Sequence, residues 1–291
     1  MSRIFEALQK ANLEGMNGQG ALGEVVINPI ASLGLTSPFL PKEGIQAETF
    51  TPRSWSPQVA ALPALEERGT PVEQFRRLRS HLYQLRDDGA IKTILISSGM
   101  PEEGKSFVAA NLAVSMAQKG GSQILLVDGD LRRPTLHTLL GAPNGPGLAE
   151  YLSGSTNLND IIQRSRSENG AAGSRKPGLS NLSFVAAGRC GDNSSELVAH
   201  PRFEEMMRAL ADRFDWILVD SPPALVVTDA IDLARTADAV LLVARGARTP
   251  FDVAQRAQRA FSNYRVLGFV LNDVTNAPTS GYGYYSGQRI A

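Results

Sequence analysis

The sequence predicts an α/β fold with a mostly parallel central sheet and helices on both faces of that sheet. One observation supports this prediction, and two others exclude competing classes of protein. Short, continuously apolar segments alternate along the chain with longer segments of helical periodicity, as expected for strands that are buried on both faces. The single cysteine, Cys190, excludes an intramolecular disulfide framework and a multi-cysteine metal site. Basic and acidic residues number 29 each, so no net positive charge favours a nucleic-acid partner.

The sequence shows no pattern that directs it into or across a membrane. No apolar run approaches the ~18 residues that a membrane span requires. The first apolar stretch is short and is interrupted by Glu6, Gln9 and Lys10, which is not the pattern of a signal peptide. We therefore expect a cytoplasmic protein without a transmembrane segment.

Residues 1–69 are predicted to form a short helix followed by a flexible, proline-rich linker. Four apolar residues share one face of a helix over residues 1–11: Ile4, Phe5, Leu8 and Ala11. This helix is interpreted either as an amphipathic chain end that frays or as a docking peptide for a partner. Between residues 28 and 63 the prolines recur too densely for a long regular element, which predicts a linker over residues 13–65.

The folded domain is predicted to span residues 70–278, and its first helix carries a clear start signal. Thr70 supplies an N-cap hydroxyl, Pro71 suits the first helical position and Glu73 places an acid in the first turn. Apolar residues at helical spacing continue this helix to residue 87. Strands are then predicted over residues 93–97, 123–128, 182–186, 216–220, 239–244 and 266–271. Helices are predicted over residues 105–119, 201–213, 229–234 and 249–262.

A glycine-rich loop follows the first predicted strand and matches the pattern G-x-x-x-x-G-K-S from Gly99 to Ser106. In such a loop the backbone N–H groups surround a phosphate, the following helix adds its partial positive charge, and the lysine reaches the terminal phosphates. The side chains of two adjacent glutamates must then point away from the phosphates. The predicted nucleotide-binding residues are Gly99, Met100, Pro101, Glu102, Glu103, Gly104, Lys105, Ser106 and Phe107, with Lys105 also catalytic and Ser106 also a magnesium ligand.

Three carboxylates follow two of the buried strands. Asp128 and Asp130 come at the carboxyl end of one strand, where open α/β sheets bind their ligands. There they can hold Mg²⁺ or accept a hydroxyl proton, although Asp130 could instead only cap the following helix. Asp220 ends a run of four apolar residues and is predicted to orient magnesium through water beside Ser106.

These motifs together resemble the bacterial tyrosine kinases of capsule and exopolysaccharide synthesis, which have a P-loop NTPase fold. The resemblance rests on S-S-G-M-P-E-E-G-K-S at 97–106, L-L-V-D-G-D-L-R-R-P at 125–134 and I-L-V-D-S-P-P at 217–223, and it extends from residue 70 to the C-terminus. Residues 1–11 also resemble the N-terminus of the exosortase-associated branch. The resemblance implies an ATP- and Mg²⁺-dependent tyrosine autokinase that regulates exopolysaccharide synthesis and export.

The resemblance also implies partners. Without a membrane span, the chain resembles the split form of these kinases, in which a separate transmembrane polysaccharide co-polymerase acts as activator. We therefore expect it at the inner face of the cell membrane, bound through that partner. A tyrosine phosphatase is expected to reset its phosphorylation.

Glu73, Arg76 and Arg79 form E-x-x-R-x-x-R on one face of the first helix. Their i,i+3 spacing suits salt bridges within one chain or between chains, and a solvated face is the ordinary interpretation. The resemblance implies instead that this stripe joins subunits in a ring.

The last 13 residues, 279–291, are predicted to be a flexible tail that carries half of the six tyrosines: Tyr282, Tyr284 and Tyr285. Glycine and serine surround them, and no apolar periodicity would pack them on a core. In the family such a cluster is the autophosphorylation substrate, and the flexible flanks would let it enter another subunit's active site.

The chemistry needs positioning and charge neutralisation more than an enzyme nucleophile. Asp128 or Asp130 is expected to accept the phenol proton, and Asn272, after the last strand, is expected to contact adenine. The family has glycine where this chain has Glu102. If that position requires positive φ, the glutamate strains the loop by about 1 kcal/mol or more.

Two alternative functions compete with the kinase. One is a nucleotide switch like the partitioning and division-site ATPases, which carry a lysine after the first loop glycine, where this chain has Met100. The other is a non-catalytic ATP-binding regulator of a polysaccharide export complex. The intact Lys105, Ser106 and aspartates argue against the regulator.

Overall fold

The computed structural model describes residues 51–87, 90–165, 179–191 and 193–274, apart from the side chain of Val59. These residues fall within one unit, Glu48–Thr275. The predicted helix over residues 1–11 and the tyrosine cluster of residues 282–285 lie outside the described residues.

The described residues form a single eight-stranded sheet. Its strands are β1 Thr51–Arg53, β2 Thr93–Ser98, β3 Ile124–Asp128, β4 Ile162–Ser165, β5 Leu182–Val185, β6 Trp216–Asp220, β7 Ala239–Arg245 and β8 Val266–Asn272. Their order across the sheet is β1-β4-β5-β3-β6-β2-β7-β8. Neighbouring strands are parallel except β4 and β5, which are antiparallel. The prediction of a mostly parallel sheet is therefore confirmed.

Helices connect the strands. Their bounds are α1 Thr70–Asp87, α2 Lys105–Lys119, α3 Leu136–Leu140, α4 Leu148–Leu152, α5 Leu158–Ile161, α6 Ser194–Val198, α7 Pro201–Ala211, α8 Asp229–Ala234 and α9 Phe251–Ala260, with 3₁₀ turns at Val59–Ala61 and Pro63–Leu65. The predicted bounds of α2 and α8 agree with the structure to the residue. In α1 the predicted N-cap Thr70 is the first helical residue, so the start differs by one position. The predicted helices over 201–213 and 249–262 are each shorter in the structure.

The central strands β2, β3 and β6 are buried along their whole length. Alternate residues of a strand point to opposite faces, so one strand supplies both halves of the core. In β3, Ile124 and Leu126 join the cluster that includes α1 and α2. Leu125 and Val127 join the cluster that includes α7 and α8. This two-sided burial explains why these strands are continuously apolar in sequence.

The predicted linker is wrong for residues 51–65, which pack on the domain. β1 pairs with β4, and Leu62 and Ala64 are almost completely buried. The side chain of Asn111 on α2 accepts a hydrogen bond from the Ala64 N–H at 3.0 Å and donates one to the Ala61 carbonyl at 3.2 Å. We call residues 51–65 the strap. The sequence pattern missed it because its elements are three residues long and are held by a side chain about 50 residues away.

The outer strand β8 differs from the inner strands. Its seven residues are all half-buried. Its pairing with β7 shifts register, because Val266 pairs with Val240 whereas Gly268 pairs with Leu241. Gly268 has a φ of 139°, a conformation that glycine adopts without strain. The edge therefore contains a β-bulge at Leu267.

Among the described residues, no helix has both the length and the hydropathy that crossing a membrane requires.

Candidate active site

The phosphate-binding loop joins β2 to α2, as the sequence predicts. Gly104 precedes α2 with a φ of 91°, and a Cβ at this position would collide with the side-chain amide of Asn272. Both the angle and the close approach require glycine here. α2 then begins at Lys105, so its N-terminal N–H groups face the place where phosphate is expected.

The two glutamates of the loop have different environments. Glu102 is exposed and has a φ of 64°, so the left-handed conformation that its position requires is held by a non-glycine residue at a cost of about 1–2 kcal/mol. Glu103 is 5% exposed. One of its carboxylate oxygens accepts a hydrogen bond from the Met100 N–H at 2.8 Å, and the other accepts one from the Thr249 hydroxyl. The Glu103 carboxylate is thus used to brace the loop.

The lysine and the serine of the loop each contact a carboxylate. Lys105 Nζ lies 3.1 Å from Asp130 Oδ2. The Ser106 hydroxyl donates a hydrogen bond to Asp220 Oδ2 at 2.5 Å. The structure therefore brings together the loop, the end of β6 and the residues that follow β3, which are separated by up to 121 positions in sequence.

Asp128 lies beside Asp220, because β3 and β6 are adjacent parallel strands in which these two residues pair. Both are fully buried. Asp128 Oδ2 accepts a hydrogen bond from the Leu136 N–H at 3.2 Å. The other carboxylate oxygen of each residue, Oδ1, has no hydrogen-bond partner among the described residues. Two buried acceptors without partners indicate a ligand that donates hydrogen bonds or carries positive charge.

Electrostatics support the same conclusion. Burial, together with the charge of Asp220, raises the pKa of Asp128 well above its ordinary value. Burial also raises the pKa of Asp220 to about 6, against the opposing effects of Lys105 and Ser106. Burial alone would lower the pKa of Lys105, but the charges of Asp220 and Asp130 outweigh it and raise that pKa. The cluster contains more negative charge than one lysine balances.

This donor set fits a magnesium ion. Mg²⁺ is usually held by one or two carboxylates together with water and substrate phosphates, and not by a closed cage of protein ligands. Within the described ranges, no group of three or more His, Cys, Asp or Glu converges as a ready-made metal site. The Ser106 hydroxyl and the free oxygens of Asp128 and Asp220 supply the hard oxygen ligands that Mg²⁺ prefers.

A cavity of about 540 Å³ opens over the loop. Lys105, Ser106, Phe107 and Asp130 line it on one side, with Arg132 and Arg133 beside them. Its apolar wall consists of Pro222, Pro223, Val226 and Val227. The cavity therefore combines a phosphate end with an apolar end, which is the arrangement needed to bring a phosphate group and an aromatic side chain together.

Four predicted nucleotide contacts do not line this cavity: Gly99, Met100, Glu103 and Asn272. Asn272 is not among the residues that line this cavity, and its amide donates a hydrogen bond to the Glu103 carbonyl at 3.1 Å. Met100, 43% exposed, lines a smaller cavity of about 280 Å³ on the other side of the loop. In this structure, Asn272 braces the loop where an adenine contact was expected.

Sequence reasoning missed the residues that hold Arg132. Arg132 Nε donates a hydrogen bond to the buried Asp229 at 2.9 Å, and Ser195 donates one to the same carboxylate at 2.7 Å. The hydrogen bond to Asp229 also raises the pKa of the Arg132 guanidinium above its ordinary value. The only local sign was an acid in the first turn of α8, which is usually an ordinary helix-start signal.

The three residues of the predicted stripe on α1, Glu73, Arg76 and Arg79, make two different kinds of contact. Glu73 and Arg76 form an exposed ion pair at 2.5 Å within α1. Arg79 Nη1 instead donates a hydrogen bond to the Ser115 carbonyl on α2 at 2.6 Å. Burial lowers the pKa of Arg79. Arg79 therefore joins two helices of its own chain, and only the first two residues of the stripe are presented to solvent as a pair.

Comparison with known proteins identifies relatives of this arrangement. The AAA domain family model matches residues 91–249. The putative tyrosine-protein kinase CapB of Staphylococcus aureus is 33% identical over 76% of this chain and 92% of its own length. The tyrosine-protein kinase YwqD of Bacillus subtilis is 32% identical over 76% and 88%. The putative tyrosine-protein kinase AmsA of Erwinia amylovora is 31% identical over 93% of this chain but only 36% of AmsA, which is a much longer protein.

Solved structures similar to this chain also include bacterial tyrosine kinase domains. The kinase domain of the Escherichia coli tyrosine kinase Etk superposes with a TM-score of 0.65, at 30% identity over 77% of this chain and 84% of that domain. The chimeric protein CapA2B2 gives 0.66 at 29% identity over 75% and 92%. The cell division ATPase MinD of Pyrococcus furiosus gives 0.52 at 26% identity over 64% and 74%. The tyrosine kinases are the better match in both identity and extent.

Proposed function

We infer that this chain, which belongs to the bacterial tyrosine-protein kinase family, is an ATP-dependent autokinase that phosphorylates its own C-terminal tyrosines. The observation that carries this inference is the joined pair of contacts, Ser106 with Asp220 and Lys105 with Asp130, beside the two unpartnered oxygens of Asp128 and Asp220. A nucleotide site with these charges needs a cation and a phosphate, and the 540 Å³ cavity above it has room for an acceptor.

Each residue of the site has a separate role in the proposed reaction. The loop amides and the N-terminus of α2 bind the β- and γ-phosphates, and Lys105 exchanges Asp130 for the γ-phosphate. Ser106, Asp220 and Asp128 would hold Mg²⁺. When bound, Mg²⁺ supplies the charge that neutralises the phosphate oxygens during transfer. Arg132 is kept at the cavity by Asp229 and adds a second fixed positive charge there.

The acceptor is a tyrosine hydroxyl that enters over the apolar wall of Pro222, Pro223 and Val226. Its oxygen attacks the γ-phosphorus as the bond from that phosphorus to the β-bridging oxygen breaks, and ADP leaves. The phenol proton passes to Asp128 or Asp130, both of which lie beside Lys105. Asp130 lines the cavity directly, whereas Asp128 lies behind it, fully buried.

Tyr282, Tyr284 and Tyr285 are the proposed substrates, and we propose transfer between subunits of a homo-oligomeric ring. The exposed pair Glu73 and Arg76 supports such a contact, because it leaves α1 with polar groups suited to a neighbouring chain.

We further propose that a separate membrane-anchored activator recruits this chain to the inner face of the cell membrane in exopolysaccharide synthesis. In two relatives the matched part is joined to further segments of the same polypeptide, since this chain matches only 36% of AmsA and 27% of the Ralstonia nicotianae EpsB. A tyrosine phosphatase would return the chain to its starting state.

The test is incubation of the purified full-length protein with Mg-ATP, followed by mass spectrometry of the C-terminal peptide. Phosphate on residues 282–285 supports the proposal. Conversion of ATP to ADP and inorganic phosphate without phosphotyrosine would favour the nucleotide-switch alternative. For transfer between chains, a Lys105→Met variant of distinguishable mass is mixed with active enzyme that lacks the three tail tyrosines. Phosphate on the Lys105→Met chain then demonstrates transfer in trans.

A further inference from the structure

Three non-glycine residues in the described part of the chain have φ angles in the left-handed region, and they lie near one another. Glu102 (64°) is in the phosphate-binding loop, Ala247 (58°) follows β7 and Asp273 (53°) follows β8. Since β2, β7 and β8 are neighbours, all three lie at one corner of the sheet edge. Residues with a Cβ persist in this conformation only where their surroundings hold them.

Arg245, the last residue of β7, contacts two of these strained residues. Its Nε donates a hydrogen bond to Asp273 Oδ2 at 2.8 Å, and its Nη1 donates a longer one to the Glu102 carbonyl at 3.4 Å. The side chains of Arg245 and Asp273 are 28% and 47% exposed, and an ion pair this exposed adds little to the stability of a fold. Its effect is orientation: Asp273 fixes the guanidinium, and the guanidinium holds the backbone of the loop.

The same corner also holds the next residue of the loop. Thr249 Oγ1 accepts a hydrogen bond from the Arg245 N–H at 2.8 Å and donates one to the Glu103 carboxylate. Asn272 holds the Glu103 carbonyl. The loop is thus fastened at two consecutive carbonyls and one buried side chain, and none of these contacts uses Lys105 or Ser106.

We propose that Arg245, oriented by Asp273, is a positioning residue that keeps Glu102 in the conformation in which the loop binds phosphate. A glycine at position 102 would adopt this angle without help. Because this chain has a glutamate there, the stabilisation must come from outside the loop, and Arg245 provides it. The inference rests on the proposed function in one respect, namely that the loop binds nucleotide.

The arrangement predicts a change in binding and little change in the transfer step. Arg245 and Asp273 are not among the residues that line the 540 Å³ cavity, so they do not face the reacting atoms. We call the hydrogen bonds of Arg245 to Glu102 and Asp273 the clamp. Loss of the clamp lowers the fraction of molecules whose loop is competent to bind nucleotide, and the apparent Kd for nucleotide rises by the inverse of that fraction. KM for ATP therefore rises, whereas kcat at saturating ATP stays close to that of the parent.

Calorimetric titration of the full-length protein with Mg-ADP tests the clamp. Arg245→Gln is expected to weaken binding by about tenfold, the equivalent of one strained residue that is no longer held. Asp273→Asn removes the charge but keeps a residue that tolerates left-handed backbone, so we expect a smaller loss of about threefold. Arg248→Gln is the matched control, since it removes the same charge from the same turn and its guanidinium has no hydrogen bond to the loop within the described ranges.

The decisive variant is Glu102→Gly, combined with Arg245→Gln. In that background the loop no longer needs the clamp, so Arg245→Gln should weaken Mg-ADP binding by less than about threefold. A merely structural role for Arg245 would give the same loss in both backgrounds and a lower unfolding temperature, and this result would overturn the proposal. Unchanged affinity in Arg245→Gln overturns it too, while leaving the kinase assignment intact. A parent protein that does not bind Mg-ADP would overturn both.

Discussion

The Ser106 hydroxyl donates a hydrogen bond to Asp220 Oδ2 at 2.5 Å, which joins the first turn of α2 to the end of β6. The contact fixes the loop serine against a fully buried carboxylate whose second oxygen has no partner among the described residues. The proposed phosphate and magnesium chemistry depends on this junction, because it sets the distance between the phosphate-binding loop and the acidic end of β6.

Replacement of the loop lysine separates catalysis from folding. Lys105→Met should lower autophosphorylation by at least about 10²-fold, because a fixed charge directed at the transferred phosphate is lost. The side chain contacts Asp130 and not the apolar core, so the circular dichroism spectrum should match that of the parent. Phosphotyrosine is measured by mass spectrometry, and an undiminished signal in this variant would contradict the assigned site.

The buried carboxylates of Asp128 and Asp220 should lower the stability of the fold when no cation is bound, although the reaction requires them. Asp128→Asn and Asp220→Asn each remove one negative charge from a cluster that repels itself in the absence of a cation. We expect each variant to lose at least about tenfold in Mg²⁺-dependent phosphorylation. Unfolding in the presence of a chelator should occur at a temperature a few degrees higher than for the parent. A lower unfolding temperature in both variants would show that these carboxylates are structural.

The residues of the α1 stripe should differ in their effects. Alanine at both Glu73 and Arg76 should reduce the oligomer to smaller species without loss of stability, since their ion pair is exposed. Arg79→Ala should instead destabilise the fold by about 1–2 kcal/mol, because the hydrogen bond from α1 to the Ser115 carbonyl on α2 is lost. Light scattering and thermal unfolding measure the two effects. An unchanged mass after replacement of all three residues would contradict the proposed interface.

Phosphorylation of the tail should loosen the oligomer. Each phosphotyrosine adds about −1.5 to −2 charges, so two or three place roughly three to six negative charges on one short segment. Repulsion from Asp128, Asp130 and Asp220 of the neighbouring subunit should then expel the tail. The oligomer size of unphosphorylated and fully phosphorylated protein is compared at equal Mg-ADP and moderate salt. Identical ring populations would show that the tail is a substrate without control over assembly.

The attachment of the strap to the domain should depend on the side-chain amide of Asn111. Asn111→Ala removes hydrogen bonds to Ala64, Ala61 and the Phe107 carbonyl, and should destabilise the protein by about 2–3 kcal/mol because the buried Ala64 N–H loses its acceptor and two part-buried carbonyls each lose a donor. Denaturant unfolding measures the loss. Asn263→Ala, at an exposed position, is the control and should change stability by less than about 0.5 kcal/mol. Equal stability of the two variants would mean that the strap is held by its apolar residues alone.

Local signals account for the parts that the sequence predicted well. The start of α1 near Thr70, the start of α2 after Gly104 and the bounds of β6 each depend on a few adjacent residues, and each agrees with the structure to within one residue. The phosphate-binding loop and the three aspartates could be found for the same reason, since strand ends in a parallel sheet converge on one edge.

Contacts between distant residues account for the rest. Arg132 reaches Asp229 across 97 positions, and Arg245 reaches Glu102 across 143. No local pattern reports such pairs, because arginine and aspartate are ordinarily solvated. The strap was missed for a related reason: its two buried residues, Leu62 and Ala64, are too few to show a period.

The β-bulge at Leu267 protects this protein against aggregation through its edge strand at high concentration. β8 is the last strand of the described sheet and reads V-L-G-F-V-L-N, a segment of high β-propensity without charge. A flat strand of this composition is a template for edge-to-edge aggregation. The extra residue and the left-handed Gly268 break the regular ladder there, whereas the opposite edge, β1, is three residues long and contains Pro52. A valine in place of Gly268 would therefore endanger solubility before it affected catalysis.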